Sequence, residues 1–175
     1  MSGVKITRDN ADAILMAIKK LSNMDVLVGI PANKAQRDDG EYLNNAELGY
    51  LQSTGATISI GGETVTLPPR PFLDMGIEDT QDITSSHLVA AADYAITGKF
   101  EAAQRELERA GMVASNAAKK VISDGDRLEP LSEATLQRRR AKGMDGEKPL
   151  YDTSSLLKSI TYIVRNKGNN AFTRC

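Results

Sequence analysis

The sequence has no tryptophan, one cysteine and one histidine, and each scarcity removes a class of chemistry. Cys175 alone can form neither an intrachain disulfide nor a cysteine metal cluster, so synthesis in a reducing cytoplasm is expected. His87 lies in an alanine-rich helical pattern with no second ligand at helical spacing. It reads as a surface or internally satisfied histidine rather than a metal ligand. With only 3 Phe and 5 Tyr, the core must be built from aliphatic residues and alanine. No apolar run approaches the roughly 18 to 20 residues that span a bilayer. The first residues also lack the basic-then-apolar layout of a signal peptide, so neither membrane insertion nor secretion by that route is expected.

Motifs for catalysis are equally scarce. Gly61-Gly62 lacks the GxxxxGK[ST] context of a phosphate loop and opens no helix. Asp38, Asp39, Glu78, Asp79 and Asp82 supply carboxylates, but nothing in the sequence sets two of them across a cleft for acid and base work. Serine and threonine are plentiful without a nucleophile elbow or a histidine base. The expectation is a protein that is not an enzyme and holds no cofactor or metal.

What is present is the makings of one α+β domain with extensions. At 175 residues the chain suits a single core better than two. Charge is polarised along it: residues 1–126 carry 12 Lys/Arg against 18 Asp/Glu, and residues 127–175 carry 10 against 5. Such an acidic end and basic end suit head-to-tail association or simply two solvated faces.

Ile14, Leu15, Ile18 and Leu21 recur at helical spacing behind Asn10, a residue able to cap, which predicts a helix over 11–22. Val26 to Ile30, stopped by Pro31, reads as a strand central in its sheet. Residues 31–43 read as a mobile polar loop. Asn44 and Glu47 form a capping box for a helix over 45–52, ended by Gly55. Residues 57–60 and 63–67 flank Gly61-Gly62 as a β-hairpin.

From Asp79 to Ser123 the pattern is helical with a break near Gly98. Phe100, Ala103, Leu107, Ala110, Ala114, Ala118 and Val121 form one long stripe. Its small residues, with Gly111, invite close approach by helix 11–22, the sheet or another copy. Ser132 caps a helix to Ala141. Asp152 or Thr153 caps a short turn before a strand over 160–165, and 166–175 reads as a flexible tail. The architecture expected is a small, mainly antiparallel sheet of about four strands, hairpin included, packed on one long and several shorter helices across residues 1–165.

Two clusters remain. LPPRPFL at 67–73 is stiff because proline fixes φ and restrains the residue before it. It is either a rigid connector or an extended arm that presents Arg70 and Phe72 to a fixed place. Arg138, Arg139 and Arg140 are consecutive on a helix, so they fan over about 200° and at most two face one way. With net charge near zero and no interleaved aromatics, a protein contact or solvated face is favoured over dedicated nucleic-acid binding.

Taken in order, VLVGIP at 26–31, NAELGYLQSTGA at 45–56 with LPPRPFL, PLSEATLQRRRAKG at 130–143 and PLYDTSSLLKSITYIVR at 149–165 make a recognisable series. It resembles the virion-morphogenesis proteins of the neck and tail-completion (head-tail joining) group of long-tailed bacteriophages and prophages. Tyr50-Leu51-Gln52-Ser53 replaces the usual histidine-containing stretch, and Ser155 stands where glycine is common.

The resemblance implies a structural virion protein, assembled in the bacterial host cytoplasm. Subunits would close into a homo-oligomeric ring, six-fold in the expectation, at the head-tail joint or tail end. Partners would be its own copies, neighbouring neck, connector or tail-tube proteins, and DNA touched non-specifically in an axial channel. The assembly residues expected on this reading are Arg70, Pro71 and Phe72 of the arm, Arg138, Arg139 and Arg140, and Tyr162 and Val164 of the last strand. The alternatives are a tail-tube terminator ring and, in a different class, a prophage nucleic-acid-binding or regulatory protein.

Overall fold

The computed structural model describes residues 10–37, 42–60, 62–151 and 154–167. In chain order the elements are α1 (Ala11–Ser22), β1 (Met24–Gly29), α2 (Ala32–Ala35), α3 (Asn45–Thr54), β2 (Ala56–Ile60), β3 (Glu63–Leu67), α4 (Phe72–Asp79), α5 (Gln81–Ile96), α6 (Phe100–Asp124), α7 (Glu133–Ala141), α8 (Ser155–Ser159) and β4 (Thr161–Asn166). This is the expected α+β class, with four antiparallel strands. They divide into two separate pairs, β1 with β4 and β2 with β3.

That division corrects the reading of β1 as a central strand. Its sole ladder runs from Met24 opposite Asn166 to Gly29 opposite Thr161, so its other edge is open among the described residues. The apolar run made β1 look buried on both sides. It is covered on one face by α6, and the partner strand arrives from the far end of the sequence.

The long helix α6 organises the molecule. Its small-residue stripe is buried from Ala103 to Ala118, and two core clusters hang on it. Towards its start, Ala103 and Leu107 meet Ala91 and Ala95 of α5, with Leu21, Met24, Val26 and Val164 closing the layer. Towards its end, Ala118, Val121 and Ile122 meet Phe72, Ile30, Ala35, Leu128, Leu156 and Ile160.

Glycine makes both crossings possible. A Cβ on Gly76 of α4 would lie 2.4 Å from the Ala118 nitrogen, and one on Gly111 of α6 would lie 2.5 Å from the Tyr162 ring. Only a residue without a side chain lets the α6 backbone approach at Gly76 and the Tyr162 ring lie on the helix at Gly111.

Local signals hold well in places. The Asn44 side chain accepts from Ala46 and Glu47 nitrogens while Glu47 accepts from the Asn44 nitrogen, closing the capping box, though α3 continues to Thr54. Gly125, at φ 71°, ends α6. Elsewhere packing overrides pattern. Asn10 makes no side-chain cap; only its carbonyl accepts, from Ile14 N. Residues 32–35, expected as loop, form a helical turn because Ala35 is buried in the second cluster. The remainder of that loop at 38–41, the Gly61 half of the hairpin turn, the Asp152 and Thr153 caps and the tail at 168–175 lie outside the described residues. No helix among the described residues is long and apolar enough to cross a membrane.

Candidate assembly site

The proline-rich stretch is the first of the expected assembly residues to be placed. Pro71 precedes α4, where a missing N–H costs nothing because the first turn has no acceptor for it. Helix therefore begins at Phe72, seven residues before the sequence pattern suggested, and the extended arm shrinks to residues 68–71. Phe72 is fully buried against the second half of α6.

Arg70 is buried beside it at 5% exposure. Its Nε donates to the Glu129 carbonyl at 2.6 Å, Nη1 to Gln52 Oε1 at 3.1 Å and Nη2 to the Pro130 carbonyl at 2.9 Å. The Arg70 nitrogen also donates to the Gln52 carbonyl at 2.7 Å. Burial lowers the guanidinium pKa, and the nearby Glu129 carboxylate opposes that shift. Arg70 and Phe72 are thus internal fasteners joining α3, α4, α6 and the loop before α7. Of the two readings of the stretch, the packing is that of a rigid connector within its own subunit.

Tyr162 and Val164 of the last strand also lie against the fold. Alternation along β4 turns both towards α6, Tyr162 onto Gly111 and Val164 into the first cluster. The strand alternates as expected, but the apolar side is already spoken for by a helix.

The arginine triplet divides by role. Arg139 donates to the carbonyls of Gly146 at 2.8 Å and Lys148 at 3.1 Å, stapling the loop that follows α7. Arg140 pairs with Glu133 at 3.4 Å and Glu147 at 3.1 Å. Arg138 is exposed and makes no ion pair among the described residues. Fanning of consecutive helical residues, anticipated from the sequence, accounts for the split.

Arg70 and Arg139 do meet at one feature the sequence did not disclose. A cleft of about 910 Å³ runs between α3, β3, α7 and α8, lined by both arginines, by Leu48, Leu131 and Leu156, and by the successive β3 residues Val65, Thr66 and Leu67. Both arginines bond there to neutral carbonyl and amide groups, and Glu129 also lines the cleft.

The chain matches no family model, no curated protein and no solved structure. Its surfaces must be read on their own terms.

The hairpin β2–β3 pairs with no other strand among the described residues. Thr57 and Ser59 stand opposite Thr66 and Thr64 on one exposed face, while Val65 on the other face is 37% exposed beside the cleft. A polar pattern of Thr and Ser alternating with Ile and Val is legible in the sequence. That the hairpin would remain a lone two-stranded ribbon is not.

His87, read from the sequence as a surface or internally satisfied histidine, finds a partner the sequence did not disclose. Glu106 on α6 is buried to 8%, with Oε2 accepting from His87 Nδ1 at 2.7 Å and Oε1 from Arg109 Nη1 at 2.5 Å. The His87 hydrogen bond is the largest cause of the lowered Glu106 pKa, reinforced by Arg109 and opposed by burial. The histidine is therefore satisfied by a carboxylate on the neighbouring helix, a pairing 19 residues apart that helical periodicity does not reveal. Among the described residues no three His, Cys, Asp or Glu side chains gather as a metal site would require.

Proposed function

We propose that this chain is a structural subunit of a long-tailed phage or prophage virion, forming a ring at the head-tail joint or tail end during tail completion. The observation that carries the reading is the lone hairpin β2–β3 with its open edges. Two strands alone are marginally stable in water, and an unpaired edge is a template for pairing with another chain. Both properties suit a subunit completed by its neighbours. The hairpin also lies between the NAELGYLQSTGA and LPPRPFL motifs that carry the resemblance.

The internal use of Arg139 and Arg140 leaves Arg138 as the member of the triplet with no ion pair among the described residues, which weakens the nucleic-acid alternative. Electron microscopy of particles made without the protein tests the reading. Finished heads and tails left unjoined are expected. Overlong tails would replace it with the tail-terminator reading, and normal joined particles would overturn both.

A further inference from the structure

α5 spreads its apolar residues around its circumference among polar ones instead of gathering them on one face. In the folded chain only one side is covered: Ala91 and Ala95 are buried, whereas Leu88, Val89 and Ile96 are 45, 63 and 42% exposed. The same holds for α1 beside it. Ala17 is buried with Ile14 and Leu21 half-buried around it, so Leu15, Met16 and Ile18 stand 64, 73 and 48% exposed. Those six side chains together expose on the order of 600 Å², at the upper limit for the largest apolar patch on a typical monomer. A standard interface buries about 800 Å² per partner, of which little more than half is apolar.

Charge differs between the two helices only in part, since α1 carries an exposed Asp12 on its outward side as well as its lysines. α1 ends in exposed Lys19 and Lys20, with Lys20 Nζ 4.1 Å from the centre of the Phe100 ring. α5 has no lysine or arginine and carries exposed Asp82 and Asp93. None of Lys19, Lys20, Asp82 and Asp93 has an ion-pair partner among the described residues. On a helical projection Asp82, Val89, Asp93 and Ile96 share the outward stripe of α5, while Leu15, Met16 and Lys19 share that of α1.

We propose that the outward faces of α1 and α5 form the contact between copies of this chain, α1 of one copy seated on α5 of another. Leu15 then covers Val89, and Lys19, one turn further along α1, faces Asp93, one turn beyond Val89. The inference rests on the reading of the chain as a self-assembling subunit, and adds where its copies meet.

The test is the mass of the full chain by light scattering for the wild type, the pair Lys19→Glu with Lys20→Glu, the pair Asp82→Lys with Asp93→Lys, and Val89→Asp. The wild type is expected as an oligomer, and each variant as the single 18.9 kDa chain with an unchanged melting temperature. Mixing the two charge-reversed chains one to one should restore the oligomer, because each supplies the charge the other now needs. Val89→Asp should not recover in any mixture with itself.

A wild type still monomeric at ~100 μM, weaker than any useful homo-oligomer, overturns the proposal. So does an oligomer whose mass ignores all the substitutions, although that result leaves the ring reading intact. A complex of two copies that responds as described supports the surface and counts against the ring.

Discussion

At the scale of single residues, Phe72 and Arg70 carry the most consequence. Among the described residues Phe72 is the largest side chain with no exposure, and it shares its core cluster with Ala35, Ile122, Leu128, Leu156 and Ile160. Truncation to alanine should cost about 3–5 kcal/mol, since the surrounding backbone can only partly collapse into the space. In a chain of this size the melting temperature should fall on the order of 10 °C. A thermal melt of Phe72→Ala checks it, and an unchanged midpoint would show that the ring is dispensable to the core. The stiffness of LPPRPFL was legible in the sequence from proline chemistry alone. Its destination was not, because a rigid segment has the same composition whether it reaches inward or outward. Burial of Arg70 against three acceptors from α3 and the loop before α7 decides the matter.

At the scale of elements, α5 and α6 are held together by alanine contacts and by the buried Glu106. The folded-state pKa of Glu106 is lowered relative to the unfolded chain, chiefly by its hydrogen bond from His87. Its contribution to stability is therefore complete above the unfolded carboxyl pKa, about 4.3. As pH falls through the still lower folded value, the contribution is lost. Melting temperatures measured from about pH 6 down to pH 3 should decline, and Glu106→Gln should flatten that acid limb while lowering the plateau. Identical acid limbs in the two proteins would show that other carboxylates set it.

The helices themselves were largely legible. α1, the stripe of α6, the capping box of α3 and the hairpin all follow from spacing and turn chemistry. The start of α4 was hidden because prolines that forbid helix within a segment also suit the residues just before one.

At the scale of the whole molecule, two clusters share α6 as a common wall, one centred on Leu107 and the other on Phe72 and Ile122. Because one continuous helix is the wall of both clusters, its unfolding exposes the stripe of each, so the chain should unfold in one cooperative step. Leu107→Ala and Phe72→Ala should each shift a single transition rather than split it. Calorimetry checks this, and two resolved transitions in either variant would mean that the clusters melt independently.

The sequence by itself determined the class of the fold, the sites of most helices and the lack of any recognisable catalytic motif. Those properties depend on periodicity, capping and residue inventory, which act over a few neighbouring positions. Tertiary structure alone decided that four strands form two pairs, that β1 and β4 meet across the length of the chain, and which apolar residues remain uncovered. Leu15 and Ile14 are equally apolar in the sequence, yet one is exposed and the other faces the body of the fold. A hydrophobic stripe wider than the surface available to cover it leaves part of itself outside. Only the placement of α1 beside α5 reveals which part that is.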